Sequence, residues 1–217
     1  MDAADFAAWI RRTAERVSAD AARLTRLDAA IGDGDHGLNL DRGFRAAVEA
    51  LPEDAPPGKV LIAAGRAVVS KTGGASGPLY GTALRRAGKM FGDAADVDAA
   101  ALGAALRAAL DGVRDLGKAA EGDKTMVDAL APAVAAYEAA LADGADLAAC
   151  ARAAADAAVE GADATVPMRA RKGRASYLGE RSEGHMDPGA SSTALVLVTL
   201  ADVAETGAAG PGTTGEE

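Results

Sequence analysis

Apolar positions along the chain recur at helical spacing and are cut by glycine-rich breaks. Phe6, Ile10, Val17 and Leu24 fall at steps of four and seven, which predicts an amphipathic helix over 3–27. Leu40, Phe44, Val48 and Leu51 predict a second, stopped by Pro52 and the Pro56-Pro57-Gly58 break. A third is predicted from Lys59 to Lys71 and a fourth from Leu79 to Phe91, parted by Thr72-Gly73-Gly74-Ala75-Ser76-Gly77-Pro78. Asp98 opens a fifth, with Leu102, Leu106, Leu110 and Val113 on one face. After Gly122-Asp123-Lys124 comes a sixth over 125–141, where Met126, Leu130, Val134 and Tyr137 align and Pro132 favours a bend. Asp146 opens a seventh, which runs to Gly161. A glycine- and charge-rich stretch over 166–189 precedes an eighth helix over 191–203, with a serine as its expected cap. No segment alternates apolar and polar residues between hairpin turns, so the predicted class is all-α. One domain is expected over residues 1–206, with 207–217 a disordered polar tail.

Composition sharpens this picture. Hydrophobic residues make up 49% of the 217, yet aromatics only 3%. Alanine therefore fills much of the apolar share, which favours helices and close helix contacts over a bulky aromatic core. The formal net charge of −9 argues against non-specific nucleic-acid binding. Any phosphate ligand must then be drawn in by metal ions or a local basic cluster. The single cysteine, Cys150, lies in an alanine-rich helical stretch and reads as a packed thiol in a reducing compartment. The start Met-Asp-Ala-Ala-Asp lacks the pattern of a signal peptide, and no apolar run approaches the ~18 residues of a membrane span. A cytoplasmic protein without membrane contact is expected.

Chemistry concentrates in the breaks. Asp28, Asp33 and Asp35 fall within eight residues, interleaved with Gly32, Gly34 and Gly37. Carboxylates at roughly 4 Å repel by about 4 kcal/mol at an effective dielectric near 20, so such a cluster calls for a cation or for full solvation. The glycines let a tight backbone aim short side chains at one point. Oxygen ligands without thiolate point to Mg²⁺, Mn²⁺ or Ca²⁺ rather than zinc. Asp28 follows Leu24 by four residues and so continues the apolar face, where a charge needs a partner.

Gly73-Gly74-Ala75-Ser76-Gly77, beside Lys71, leads into a predicted helix start, where exposed N–H groups form an anion site; a plain interhelical loop is the other reading. Gly122-Asp123-Lys124-Thr125 lacks the upstream glycine and strand of a P-loop, and Asp123 or Thr125 reads as a helix cap. Arg169, Arg171, Lys172, Arg174 and Arg181 place five cations in thirteen residues of an acidic chain, either a solvated loop or a phosphate clamp. The two histidines, His36 and His185, each sit beside glycine and aspartate in a break, which favours ligand contact over core packing.

Four stretches, Leu27–Phe44, Gly73–Thr82, Gly122–Asp128 and Gly173–Ser192, together resemble the nucleotide-binding L subunit of dihydroxyacetone kinase. The resemblance runs over essentially the whole chain before the tail. It implies a barrel of eight antiparallel helices with ADP or ATP held at one end through two Mg²⁺ ions. It implies metal ligation by Asp28, Asp33 and Asp35, and nucleotide contacts from His36, Gly37, Leu38, Asn39, Ala75, Ser76, Gly117, Met126, Arg174, Asp187, Pro188 and Gly189. In that family the phosphoryl group passes to dihydroxyacetone held covalently by a histidine of a separate K subunit, so no general acid or base is expected on this chain. The resemblance also implies a homodimer or hetero-oligomer and leaves two modes open. In one, ATP binds, donates and leaves as ADP. In the other, ADP stays bound and is rephosphorylated through a phosphoenolpyruvate-dependent M subunit, the mode that a separate chain of this size favours. Two other roles fit the same resemblance: an ATP-dependent kinase subunit for another small ketose or polyol, and a non-catalytic ADP-loaded regulatory module.

Overall fold

A computed structural model describes residues 1–208 of the chain. These residues form eight α-helices: α1 (Ala3–Ile31), α2 (His36–Glu49), α3 (Pro57–Lys71), α4 (Ser76–Phe91), α5 (Ala99–Gly117), α6 (Val127–Ala142), α7 (Leu147–Ala164) and α8 (Pro188–Ala208). A 3-10 segment, Arg174–Ser182, lies between α7 and α8, and no strand occurs among the described residues. Each helix packs on the next in sequence, and α8 packs back on α1, so the ring closes into a barrel. Short connections make successive helices antiparallel through α7. The all-α class thus follows the periodicity, and the barrel agrees with what the family resemblance implies.

Local chemistry sets the helix ends. Asp2 and Asp5 form a reciprocal capping box at the start of α1, and Asp98 and Asp146 accept from the backbone N–H groups of Ala101 and Ala149 to start α5 and α7. Pro57 sits in the first turn of α3, where its missing N–H costs nothing. Several boundaries differ from the periodic reading: α4 begins at Ser76 rather than Leu79, and α7 runs to Ala164 rather than Gly161. Helix α1 continues past Leu27 to Ile31, because Asp28 lies on its inner face rather than in the following turn. Helix α8 starts at Pro188, not at the serines: Asp187 caps it by accepting from Ala190 N–H at 2.7 Å. Within the stretch expected to be irregular, residues 174–182 coil into 3-10 turns. Residues 207 and 208 continue α8, and the expected disorder of the remaining tail falls outside the described residues.

The core runs along the barrel axis. Phe6, Ile10, Val17 and Leu24 of α1 are fully buried, as are Leu40 and Phe44 of α2, Leu110 of α5 and Tyr137 of α6. Each such burial is worth about 1.5–3 kcal/mol. The low aromatic content is matched by close helix approach. Along α3 and α4, a Cβ on Gly81 would meet Gly65 O at 2.6 Å, and one on Gly88 would meet Gly58 O at 2.6 Å. The seam between α1 and α8 is tied by Trp9 Nε1 donating to Val196 O at 3.0 Å and by Arg16 pairing with Asp202 at 2.6 Å. No described helix is long and apolar enough to cross a membrane.

Candidate functional site

One end of the barrel opens into a cavity of about 340 Å³, within the range of small-ligand sites. It is bounded by the last turn of α1, the end of α5, and the first turns of α2, α4, α6 and α8. Four helix N-termini at one mouth turn the positive ends of four helix dipoles toward one volume, and no side chain caps α4. This is the anion-attracting element in a chain of net charge −9.

The aspartate cluster occupies one wall. Oxygen atoms of Asp28, Asp33 and Asp35 all come within 4.8 Å of one another. Asp28 is 9% exposed and fixes the turn: its Oδ2 accepts from Asp35 N–H at 2.8 Å and from His36 N–H at 3.1 Å. It thereby supplies the cap of α2 from a neighbouring helix. Asp35, at the position where its own side chain would ordinarily do so, makes no capping bond and keeps its carboxylate for the cavity. A Cβ at position 32 would sit 2.2 Å from Asp28 Oδ1, so Gly32 leaves that second oxygen accessible. A hard, all-oxygen donor set of three converging carboxylates fits Mg²⁺. Opposite, Arg174 Nε donates to Asp33 Oδ2 at 2.8 Å across the mouth.

A buried polar chain runs inward from the same wall. Ser76 Oγ lies 3.1 Å from His36 Nδ1, and His36 Nε2 lies 2.9 Å from Ser192 Oγ. Ser192 Oγ is 2.7 Å from the Tyr80 hydroxyl, which also reaches Thr193 Oγ1 at 3.0 Å. Burial holds the His36 imidazole below its usual pKa against the opposing pull of Asp28 and Asp35, so the neutral ring orients Ser76 through a hydrogen bond. Burial likewise pushes Tyr80 up to about 12 and Asp187 up to about 7, the latter reinforced by the charge of Asp128.

The structure brings Asp28, Asp33, Asp35, His36, Ala75, Ser76, Gly117, Met126, Arg174, Asp187, Pro188 and Gly189 to this one cavity. Gly37, Leu38 and Asn39 do not line it. A Cβ on Gly37 would lie 2.0 Å from Ala21 O, so this glycine serves the packing of α2 on α1. Leu38 is 62% exposed, and Asn39 Oδ1 accepts from Arg42 at 2.6 Å. Of the five cations in the basic stretch, Lys172 and Arg174 line the cavity, while Arg169 pairs with Glu180 at 3.8 Å. His185 is exposed. In the Gly122–Thr125 turn, Thr125 Oγ1 accepts from Val127 N–H, but Asp123 turns back to Ala120 and Asp128 holds the turn by accepting from Gly122 and Thr125. Periodicity and motif spacing do not reveal Tyr80, Ser192 or Lys124. Lys124 is 1% exposed and is surrounded by main-chain carbonyls.

A closed helical barrel with a carboxylate-walled mouth ringed by helix N-termini is the class of domain that this fold and cavity define. Residues 30–202 match the DAK2 domain, and the chain belongs to that family. It is 42% identical over 195 residues to the ADP-binding subunit DhaL of a PEP-dependent dihydroxyacetone kinase from Escherichia coli (strain K12), covering 89% of this chain and 93% of that one. It is 45% identical over 183 residues to D-erythrulose kinase of Mycolicibacterium smegmatis, where the match covers 82% of this chain but 32% of the relative. The crystal structure of the dihydroxyacetone kinase of C. freundii in complex with AMP-PNP and Mg²⁺ superposes with a TM-score of 0.65 at 30% identity, over 92% of this chain and 33% of that chain.

Proposed function

We propose that this chain is the nucleotide-binding subunit of a dihydroxyacetone kinase, presenting a Mg²⁺–ADP or Mg²⁺–ATP phosphate chain to a ketose held on a separate K subunit. The observation that carries the reading is the convergence of three carboxylates and four helix N-termini on one cavity. In this reading Asp28, Asp33 and Asp35 hold two Mg²⁺ ions, which supply charge neutralisation of the phosphates and of the moving phosphoryl group. The turn Gly73–Ser76 offers backbone donors and the Ser76 hydroxyl to phosphate oxygens. Met126, Gly117 and Gly189 form the wall against which the base lies, methionine being adaptable to a flat partner. Arg174 gives up Asp33 for the phosphates, a partner exchange between two charge-assisted bonds. His36 orients Ser76; no side chain here is assigned as acid or base, which leaves that chemistry to the K subunit.

The similarity to an ADP-binding subunit over nine-tenths of both chains supports a bound ADP recharged by a phosphoenolpyruvate-dependent M subunit. The similarity to D-erythrulose kinase keeps another small ketose as the second reading, with acceptor choice residing in the partner. A regulatory ADP-loaded module uses the same cavity without transfer. The buried Cys150 thiol suits a reducing cytoplasm, and a homodimer or hetero-oligomer with the K subunit is the working assembly.

The deciding variant is Asp33→Asn. Asp33 is half-exposed, and its ion pair with Arg174 is a surface one of small energetic weight. We expect the helical circular dichroism to be unchanged and Mg²⁺–ADP affinity to fall by about a hundredfold or more, beyond the loss typical of outer-shell changes. Undiminished affinity in titration calorimetry removes the metal assignment. Transfer to dihydroxyacetone on adding a K subunit and a phosphoryl donor separates the kinase from the regulatory module.

A further inference from the structure

The buried lysine at the foot of the cavity is not explained by nucleotide contact. Lys124 Nζ approaches five main-chain carbonyls: Thr165 at 2.9 Å, Val166 at 3.4 Å, Met168 at 3.0 Å, Ser182 at 2.8 Å, and His185. Its direct partners are all peptide carbonyls, as a monovalent cation's would be, and the charges of Asp187 and Glu183 add attraction from farther off. The carbonyls come from the two ends of one segment. Three follow α7, and two precede α8; between them lies the 3-10 turn that carries Arg174.

We propose that Lys124 is a positioning residue that acts as an internal cation, clamping both ends of the 165–185 strap so that Arg174 is held over the mouth of the nucleotide cavity. The proposal rests on the nucleotide-binding reading of that cavity. Three features make the clamp directional rather than a generic core contact. The lysine belongs to the same short turn as Thr125 and Met126, which line the cavity, so one residue links the Met126 wall to the Arg174 wall. The backbone around it repeats the tie: Arg171 N–H donates to Asp123 O at 3.0 Å and Gly184 N–H to Val166 O at 2.8 Å. The strap has little else beneath it, a small apolar cluster of Ala170, Ala175 and Leu178 on Ile31 of α1. A second lock is Ser182, fully buried, whose Oγ donates to Gly179 O at 2.6 Å and accepts from Ala170 N–H at 2.9 Å. Pinning a segment at its ends removes most of the freedom that a charged surface loop otherwise keeps. The entropy of ordering Arg174 is then met during folding, not on binding nucleotide.

The test uses the full chain and two readouts. The first is the rate of tryptic cleavage within the strap, which contains Arg169, Arg171, Lys172, Arg174 and Arg181 and needs no nucleotide to be read. The second is Mg²⁺–ADP affinity. Lys124→Ala retains Cβ and lacks three methylenes and the ammonium, so propylammonium is the matching probe, with sodium chloride at equal ionic strength as control. We expect faster strap cleavage, affinity lower by roughly ten- to hundredfold, the factor for one charge-assisted bond, and recovery of both with propylammonium but not sodium. Ser182→Ala is expected to move both readouts in the same direction by less. A soluble Lys124→Ala chain with native protease resistance overturns the proposal, as does a strap that opens without loss of affinity. If Lys124→Ala does not fold, Ser182→Ala decides: native resistance and native affinity there overturn the clamp. Should the parent chain bind no Mg²⁺–ADP while Asp33→Asn behaves identically, the nucleotide reading fails, and the protease readout still judges the clamp.

Discussion

Asp187 is a buried carboxyl that serves two masters. Its Oδ2 caps α8 through Ala190 N–H, while burial and the neighbouring Asp128 raise its pKa from 3.8 to about 7. A folded-state pKa above the unfolded one means the folded chain binds the extra proton. This group's favourable share is therefore complete below about pH 4 and is lost as pH rises through about 7. The span corresponds to at most about 4 kcal/mol at 1.36 kcal/mol per pH unit. Asp187→Asn keeps the acceptor for Ala190 and cannot ionise. Urea denaturation at pH 5 and pH 8 should show the variant gaining on the parent as pH rises, with the larger advantage at pH 8. An equal difference at both pH values would contradict a raised Asp187 pKa. The same residue illustrates what sequence can carry at this scale. Asp28, Asp33 and Asp35 were readable because they are near neighbours in the chain and their repulsion is a local fact. Neither the Arg174–Asp33 pair nor the proton demand of Asp187 is local: each depends on which strands of distant backbone close over it.

Among the elements, all eight helices were legible: most bury a stripe of Leu, Val, Phe and Ile against their neighbours, whereas α7 buries alanines and Cys150 and is marked instead by Asp146 at its start. What it missed lies where side chains from one element finish another. Asp28 of α1 caps α2, so α1 extends four residues beyond the predicted end, through the very residue that looks like part of a turn. The Arg174–Ser182 coil carries no apolar stripe, and Lys124, packed among carbonyls, looks in sequence like part of a polar turn. Helix seams made of glycine are similarly silent, because a missing side chain leaves no pattern. Gly88→Ala tests one such seam away from the cavity. Its Cβ would lie 2.6 Å from Gly58 O and 3.0 Å from Leu61 Cβ, so α3 and α4 must separate. Overpacking of this kind costs about 1–3 kcal/mol, which for a chain of this size lowers Tm by roughly 2–10 °C. Thermal denaturation should show that fall with Mg²⁺–ADP affinity unchanged; a parallel loss of affinity would mean that the α3–α4 seam shapes the mouth.

For the whole molecule, the balance of charge sets the order in which ligands arrive. A net charge of −9, with three aspartates at the mouth, repels a free nucleotide, whereas four helix N-termini and Arg174 attract its phosphates. Without a cation the two nearly oppose one another; with Mg²⁺ the aspartates change from a repulsive wall into a binding one. Because α1, α2, α4, α5, α6 and α8 all contribute to the cavity, a ligand there joins elements from around the ring and should stabilise the barrel as a whole. At a hundredfold excess over Kd, binding to the folded state adds about 2.7 kcal/mol, or roughly 5–10 °C in Tm for a chain of this length. We expect Mg²⁺ and ADP together to raise Tm by that order. ADP in a chelator should give little or no rise, and Mg²⁺ alone a small one through relief of carboxylate repulsion. Adding chelator to the loaded protein should return Tm to its starting value. If ADP with chelator stabilises the chain as strongly as Mg²⁺–ADP, the aspartates are not metal ligands, and the helix N-termini with Arg174 hold the phosphates unaided.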